Sequence, residues 1–208
     1  MQTHILDHPL VHHKLALLRN RQTPVSLFRS LTEELGLLLA MEATRNLEVE
    51  AIDIETPLEW MEGFVLRRMD PAIVPVLRAG LGLVPPFLKL LPTAKVGHIG
   101  LYRDHESLAP VPYYRNFPPF MEERVVFLLD PMLATGGSAS EAIQEVKDAG
   151  ARNITLVSII AAPEGLALLK KHHPDLRVVV GAVDRELNNK GYILPGLGDA
   201  GDRIFGTA

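Results

Sequence analysis

The segment 125–138 constrains the fold more than any other part of the chain, because it reads as a buried strand, an acid, a glycine-rich turn and a helix. The apolar run from Val125 to Leu129 is typical of a strand covered on both faces of a parallel sheet. Asp130 follows this run, and from Ser138 apolar residues recur at helical spacing up to Gly150, a residue typical of a helix C-terminus. The segment therefore predicts a strand, a short turn and a helix whose N-terminus lies at the turn.

The turn is predicted to bind a phosphate group. Backbone N–H groups of Thr135, Gly136 and Gly137 would point at the ligand beside the positive end of the helix, and glycine allows a close approach. A Walker loop is excluded because no lysine follows Gly137, and a dinucleotide fingerprint starting at Gly80 fails because Pro85 occupies its third glycine position. The alternative is an ordinary corner in which glycine serves only turn geometry.

The rest of the chain alternates between predicted strands and helices. Strands are expected at 72–77, 95–101, 154–161 and 177–183, and helices at 24–46, 81–90 and 164–172, with Thr23 as the N-cap of the first helix. This alternation predicts the α/β class with a mostly parallel sheet. Ligands of such sheets bind beyond the carboxyl ends of the strands, so Arg78, Arg103 and Asp130 are expected to face one crevice.

Two segments depart from the alternation. Residues 104–120 contain four prolines and no sustained period, which predicts a lid-like excursion or a loosely paired hairpin beside the crevice. Residues 184–208 are rich in glycine but interleave apolar residues with Asp199, Asp202 and Arg203, which favours a folded hood over a flexible end. We therefore expect a single domain over 1–208, with a core at about 47–183, a hood at 184–208 and a helical N-terminal segment at 10–46.

Composition limits the classes of function. A chain of 208 residues without cysteine has no disulfide and no thiolate ligand or nucleophile, which suits a cytoplasmic protein. The first residues do not resemble a signal peptide, and no apolar run approaches the roughly 18 residues that span a bilayer. A net charge of -4 gives no general attraction to nucleic acid or to anionic membranes, so we expect neither as a partner.

Three blocks resemble the signature sequences of the uracil phosphoribosyltransferases, a branch of the type I phosphoribosyltransferase family: residues 75–82, 130–139 and 191–207. Residues 8–11 and 42–45 also match. Many relatives carry two adjacent acids after the motif strand, whereas Pro131 takes the second place here, as is typical of the uracil branch. The resemblance implies a type I phosphoribosyltransferase fold, with a central, mostly parallel sheet flanked by helices, a small C-terminal hood and the lid-like excursion.

The resemblance also implies a reaction and a set of site residues. The reaction is transfer of a phosphoribosyl group from 5-phospho-α-D-ribose 1-diphosphate (PRPP) to uracil, which yields UMP and diphosphate, with Mg²⁺ carried by the diphosphate rather than by protein ligands. The implied catalytic residues are Arg78, Arg103, Asp130 and Asp199. The implied PRPP-binding residues are Arg78, Arg103, Asp130, Pro131, Met132, Leu133, Ala134, Thr135, Gly136, Gly137, Ser138 and Asp199, and the implied uracil contacts are Ile193, Gly198, Asp199 and Ala200.

Several points stay open at this level. Asp199 is either a general base or a residue that organises the structure or Mg²⁺, and the low ordinary pKa of aspartate favours the second role. A homodimer or homotetramer is expected, and GTP is a candidate activator. The alternatives are a transferase for another base and a UMP-sensing, RNA-binding regulator on the same fold. The regulator should show a basic face, which 21 Lys and Arg against 25 Asp and Glu do not indicate.

Overall fold

The computed structural model describes residues 1–67, 70–103 and 110–207, and of Arg103 only the backbone. Its strands are β1 (Gln2–Ile5), β2 (Val49–Glu55), β3 (Trp60–Leu66), β4 (Ala72–Leu77), β5 (Lys95–Val96), β6 (His98–Arg103), β7 (Pro110–Asn116), β8 (Val125–Leu129), β9 (Met132–Leu133), β10 (Asn153–Ala161), β11 (Arg177–Val183), β12 (Glu186–Leu187) and β13 (Ile193–Leu194). Its helices are α1 (Pro9–Arg19), α2 (Val25–Ala43), α3 (Val84–Leu90), α4 (Gly137–Asp148), α5 (Pro163–His172) and α6 (Ala200–Phe205), and 3₁₀ turns lie at Thr44–Asn46, Ala79–Leu83 and Met121–Glu123.

The main sheet has the strand order β1-β11-β10-β8-β4-β6-β7. Its neighbours pair in parallel from β1 to β6, and β7 closes the edge in the antiparallel direction. Because β8, β4 and β6 are adjacent and parallel, their carboxyl ends meet at one edge. The α/β class and the mostly parallel sheet are therefore confirmed, and Asp130, Arg78 and Arg103 follow or end three neighbouring strands.

Apolar side chains cover both faces of this sheet. One cluster joins the sheet to α1, α2 and α3, and includes Phe28, Phe87 and Phe127. The other joins it to α4 and α5 through residues such as Ile143 and Leu169. Burial on both faces explains why the central strands are continuous apolar runs rather than alternating ones.

Most predicted elements are confirmed, and three boundaries are corrected. The expectation that Thr23 caps the first long helix is wrong: Pro24 is the N-cap, and the Thr23 hydroxyl instead donates to the Leu17 carbonyl at 2.6 Å. The predicted 24–46 helix ends as α2 at residue 43, followed by a 3₁₀ turn. The predicted 81–90 helix starts as a 3₁₀ turn, because Pro85 and Pro86 lack the N–H groups that would extend α3 backwards.

The predicted 95–101 strand is interrupted at Gly97. Its N–H donates to the carbonyl of Ile73 at 2.9 Å, and a Cβ at this position would lie 2.9 Å from the carbonyl oxygen of Asn116. Within the predicted excursion at 104–120, residues 110–116 form a strand, β7, which lies antiparallel to β6. Residues 104–109, the remainder of the predicted lid, lie outside the described residues.

Two small sheets stand apart from the main one. β2 and β3 form an antiparallel hairpin, and β12 pairs with β13 in the C-terminal segment. The folded hood is thus present, with α6 following β13. Within the described ranges, no helix has both the length and the apolar character needed to cross a membrane.

Candidate active site

Residues 130–137, the segment predicted to bind phosphate, join β8 to α4, and the glycines at 136 and 137 have different surroundings. Gly136 is the N-cap of α4 with a φ of 84°, and a Cβ there would lie 2.9 Å from the backbone oxygen of Gly165. Glycine is required at this position, because a Cβ would clash with the backbone of Gly165 and because the backbone here is left-handed, which residues with side chains rarely adopt. A Cβ at Gly137 would meet nothing nearer than the Thr135 hydroxyl oxygen, at 3.8 Å. Gly136 therefore shapes the loop, whereas a Cβ at Gly137 would fit in ordinary van der Waals contact.

The loop and the first turn of α4 line an open cavity of about 120 Å³. We call it the phosphate cavity; it is lined by Asp130, Met132, Leu133, Ala134, Thr135, Gly136, Ser138 and Ala139. No side chain caps the N-terminus of α4, a helix of 12 residues. Helix N-termini present N–H donors and a partial positive charge, so this cavity suits an anion.

Asp130 lies at the carboxyl end of β8, with its side chain only partly exposed. Its carboxylate accepts one long hydrogen bond, from the Met132 N–H at 3.3 Å, which leaves most of its acceptor capacity for a ligand. Burial raises the pKa of this carboxyl to about 6, and the Met132 N–H opposes the shift only weakly. Asp130 therefore titrates close to the physiological range.

Arg78 follows β4 across a cis peptide bond with Leu77. The turn after it is packed tightly against the motif strand, since a Cβ at Gly80 would lie 2.4 Å from the Leu129 carbonyl oxygen. The guanidinium forms an ion pair with Asp202 of the hood, with an N–O distance of 3.2 Å. The tip of Arg78 is thus held by a residue 124 positions away in sequence.

These groups line one open cavity of about 260 Å³, which we call the central crevice. Its lining comprises Val76, Leu77, Arg78, Ala79, Leu101, Asp130, Ser138, Asp199 and Gly201. Asp130 and Ser138 also line the phosphate cavity, so the two cavities adjoin. A ligand that fills both would contact an anion site, a carboxylate and a guanidinium in turn.

The hood contributes a turn to the central crevice. Gly198 has a φ of 82°, and Asp199 is the N-cap of α6, where its Oδ1 accepts from the Asp202 N–H at 2.9 Å. The side chains of Ile193 and Ala200 are buried in the core beneath this turn. A ligand at the hood would therefore meet main-chain groups of these two residues rather than their side chains.

Two arginines tie the hood to the N-terminal helices: Arg19, which the sequence did not indicate, and Arg203, which it indicated only as a charged residue of the hood. Arg19 pairs in bidentate fashion with Asp184 at 2.5 and 2.7 Å and also donates to the Gly196 carbonyl at 2.8 Å. Arg203 lies 4.3 Å above the Phe28 ring and donates to the carbonyls of three residues, Leu18, Asn20 and Leu197. These bonds connect positions far apart in sequence, so no local pattern indicates them.

The model of the uracil phosphoribosyltransferase family matches residues 5–207 of this chain. The chain belongs to the uracil phosphoribosyltransferase family. A uracil phosphoribosyltransferase of Thermus thermophilus is 56% identical over 207 residues, with 100% of each chain covered. One of Bacillus licheniformis is 51% identical over 206 residues, which cover 99% of each chain.

Solved structures show the same fold. The AQ2163 protein from Aquifex aeolicus superposes with a TM-score of 0.93 at 37% identity and covers 100% of this chain and 99% of its own. An adenine phosphoribosyl transferase from Trypanosoma brucei superposes with a TM-score of 0.60 at 16% identity over 95% of this chain and 88% of its own, which shows the shared fold alone. The type I phosphoribosyltransferase fold inferred from the sequence is confirmed.

The residues implied by the resemblance to uracil phosphoribosyltransferases divide into two groups in space. Arg78, Asp130, Ser138 and Asp199 meet at the central crevice, and the segment from Met132 to Gly136 lines the phosphate cavity. The side chain of Arg103 lies outside the described residues. Among the described ones, the following predicted contacts are not part of either lining: Pro131, Gly137, Ile193, Gly198 and Ala200. Their roles in binding stay predictions.

Histidines and acids do not gather into a metal centre in the described part of the chain, where no group of three or more potential ligands is found. His8 instead caps α1 by accepting from the Leu10 N–H at 3.1 Å, and His12 pairs with Asp7. His173 lies buried just after α5, where burial lowers the pKa of its ring, and the ring makes a 3.0 Å hydrogen bond with Ser140.

Proposed function

We propose that this protein transfers the 5-phosphoribosyl group of PRPP to uracil, which forms UMP and releases diphosphate, a reaction of pyrimidine salvage. The observation that carries the proposal is the central crevice, where Arg78, Asp130 and Asp199 adjoin the phosphate cavity in a chain of the uracil phosphoribosyltransferase family. Substitution at the anomeric carbon needs a neutralised leaving group, a fixed sugar and a base that has lost its ring proton. The residues of the crevice are assigned to the first two tasks, and the ring proton of uracil would pass to water or to the leaving diphosphate.

The sugar phosphate is assigned to the motif segment. Backbone donors from Ala134 to Ser138 would bind the 5′-phosphate at the N-terminus of α4, and Asp130 would accept hydrogen bonds from the ribose 2′- and 3′-hydroxyls. The nearly free acceptor capacity of Asp130 supports this assignment. The 5′-phosphate and the sugar would thereby be fixed at the carboxyl edge of β8.

The leaving diphosphate is assigned to Arg78 and Arg103, at or after the ends of the adjacent strands β4 and β6. A guanidinium offers paired donors that match phosphate oxygens, and it stabilises the charge that develops as the bond to the anomeric carbon breaks. When bound, Mg²⁺ would neutralise diphosphate oxygens, and we propose that it enters with PRPP. The carboxylates of Asp130 and Asp199, both at the crevice, would face the water ligands of this ion rather than bind it directly.

Uracil is assigned to the hood. One edge of its ring presents an N–H donor with one carbonyl acceptor on each side, so the site must offer a donor, an acceptor and a donor in that order. Main-chain groups at Ile193 and in the 198–200 turn would supply them, as the burial of the Ile193 and Ala200 side chains supports. Cytosine would place an amino group against a donor, and unmatched buried polar groups are costly.

The function is tested by a panel of free bases with labelled PRPP. We expect uracil to be converted to UMP at a kcat/KM at least about 10³-fold above those of cytosine, adenine and hypoxanthine, since hydrogen-bond mismatches discriminate strongly. Omission of Mg²⁺ should abolish turnover. Addition of GTP at low uracil concentration tests the proposal that GTP activates the enzyme. Preference for another base would refute the proposed substrate.

We also propose a cytoplasmic location, where a highly charged substrate such as PRPP is retained.

Asp199→Asn is expected to slow the reaction with every accepted base to a similar extent. The reason is that Oδ1 of Asp199 already caps α6, which favours the role in structure or Mg²⁺ organisation over that of a base. General-base catalysis typically contributes 10²- to 10⁴-fold, and 5-fluorouracil, with its more acidic ring N–H, would depend on it less. Rates for uracil and 5-fluorouracil should therefore be compared across a Mg²⁺ titration. Rescue of the variant by roughly tenfold or more with 5-fluorouracil alone would contradict our assignment.

A homo-oligomer is proposed from the β2–β3 hairpin. Both of its faces carry exposed apolar residues: Val49, Phe64 and Leu66 on one face, and Ile52 and Met61 on the other. An isolated two-stranded hairpin is marginal in water, and an exposed apolar patch of this kind marks an interface. A second copy of the chain would cover these faces, as in a homodimer or a homotetramer.

Trp60→Glu is expected to reduce the oligomeric mass measured by light scattering after gel filtration. The indole is 66% exposed near the end of the hairpin, where a carboxylate would be costly to bury in an interface. Leu10→Glu is the matched control, because Leu10 is 48% exposed on α1, away from the hairpin. An unchanged mass for Trp60→Glu at micromolar concentration would exclude the hairpin as the interface.

A further inference from the structure

The hood brings a second acid, Asp202, to the crevice arginine. Oδ1 of Asp202 accepts from a terminal guanidinium nitrogen of Arg78 at 3.2 Å. Asp202 lies in the first turn of α6, three residues after Asp199, and was not among the predicted site residues. The contact links the strand end that carries Arg78 to the segment assigned to the base.

Asp202 is itself held firmly. Its Oδ1 accepts from the Thr207 hydroxyl at 2.7 Å, its N–H donates to Asp199, and its carbonyl accepts from the Gly206 N–H at 2.7 Å and from the Thr207 N–H at 3.1 Å. The Thr207 hydrogen bond, followed by the bond to Arg78 and its charge, keeps the pKa of the Asp202 carboxyl below its ordinary value. The carboxylate is therefore a fixed, charged acceptor at neutral pH.

Arg78 needs such an acceptor. Its side chain is 59% exposed and long, so without a fixed partner it would sample many rotamers over the crevice. The bond to Asp202 engages one of the five N–H donors of the guanidinium, which leaves the other donors for phosphate oxygens. A single hydrogen bond of this kind orients the Arg78 side chain and leaves the remaining guanidinium N–H groups free to bind phosphate.

We propose that Asp202 is a positioning residue that directs Arg78 toward the diphosphate of PRPP. The proposal rests on the proposed role of Arg78 in PRPP binding. Thr207 fixes Asp202, Asp202 orients Arg78, and Arg78 contacts the leaving group. The hood would thereby act on both the base and the leaving group, although its own residues need not contact the diphosphate.

The test is a double-mutant cycle with Arg78→Ala, Asp202→Asn and the combined variant. PRPP affinity is measured by calorimetry, so it does not depend on turnover, and KM, kcat and UMP affinity are measured alongside. Asp202→Asn should weaken PRPP binding about 3- to 30-fold, as expected for coupled neighbours, while UMP affinity changes by less than about twofold. The combined variant should bind PRPP no more weakly than Arg78→Ala alone. Thr207→Val should reproduce part of the Asp202→Asn effect.

Glu186→Gln serves as the matched control, because Glu186 also pairs with an arginine of the hood, Arg185, at 3.0 Å but does not line the crevice. Its PRPP affinity should stay at the wild-type level.

Equal losses of PRPP and UMP binding in Asp202→Asn, or a further loss in the combined variant, would assign a general structural role and overturn the proposal. Tighter PRPP binding by Asp202→Asn would also overturn it, since Asp202 would then hold Arg78 away from the ligand. Unchanged PRPP affinity in Arg78→Ala would refute the role of Arg78 and the proposal together, whereas normal PRPP binding without uracil turnover in the wild type would refute the proposed function alone.

Discussion

Asp130→Asn is expected to weaken PRPP binding and to stabilise the folded protein at neutral pH. The variant keeps the shape of the side chain but loses the negative charge that would accept from the ribose hydroxyls. Hydrogen bonds to a charged group contribute about 1.5–3 kcal/mol, so PRPP affinity should fall roughly 10- to 150-fold. A wild-type affinity in Asp130→Asn would remove Asp130 from the ribose site.

The stability gain has a defined pH window. Burial raises the pKa of Asp130 from 3.8 to about 6, so the folded state binds this proton more tightly than the unfolded state does. Wild-type stability is therefore lost as the pH rises from about 4 through about 6, and the cost persists above that window. A shift of about two units at ~1.4 kcal/mol each sets a limit near 3 kcal/mol, and partial exposure to the crevice reduces the expected gain to about 1–2 kcal/mol.

Denaturant unfolding of wild type and Asp130→Asn at pH 4 and pH 7.5 measures this gain. The two proteins should differ at pH 7.5 and nearly coincide at pH 4. Asp148→Asn, at the exposed end of α4, is the control and should change little. If Asp130→Asn were no more stable than wild type at pH 7.5, the carboxylate would not be a buried charge retained at the expense of stability.

Gly137→Val is expected to abolish binding of both PRPP and UMP while the protein stays folded. Around Gly137 the structure has space, since a Cβ would lie 3.8 Å from the Thr135 hydroxyl oxygen and 3.9 Å from Pro110 Cδ. The added branches would then occupy the position assigned to the 5′-phosphate, which both ligands carry. We expect a loss of affinity of at least about 10²-fold for each ligand, because several charged hydrogen bonds are lost together.

Gly136→Ala provides the contrast. A methyl group there would approach the Gly165 backbone to 2.9 Å at a φ of 84°, so this variant should lose thermal stability as well as binding. Calorimetry and thermal melting of the two variants separate a ligand contact from a structural glycine. Near-normal UMP binding by a folded Gly137→Val protein would contradict the phosphate assignment.

The motif segment was predictable because its signals are local. Val125 to Leu129 forms the strand residue for residue, and α4 begins one residue before the predicted start at Ser138. Which of the two loop glycines is structural could not be predicted, because the answer depends on Gly165 of α5. Sequence spacing describes a turn but not what packs against it.

The edges of the fold were harder to predict. β1 has four residues with no apolar alternation, and it joins the sheet only because β11 offers a parallel partner. The β2–β3 hairpin was not predicted either, since its apolar residues point to both faces and produce no period of two with a polar side. In both cases the missing information is a partner distant in sequence or outside the chain.

The site shows the same division. Arg78 and Asp130 follow apolar strands, so their convergence was predictable from parallel-sheet topology. Asp202 was noted only as a charged residue of the hood, because its contact with Arg78 crosses 124 positions. Asp199 was singled out by family resemblance, and the structure adds that one of its oxygens caps α6.

The anchoring of the hood bears on how enzymes of this fold diverge. Arg203 attaches the turn beside Asp199 to Phe28 and to the backbone around Asn20, whereas the phosphate cavity is built from β8 and α4. Under the proposed assignments, recognition of the nucleobase and recognition of the sugar phosphate would rest on separate parts of the scaffold. We therefore expect that substitutions between the hood and the N-terminal helices would change base preference, in evolution or by design, and leave the phosphoribosyl site intact.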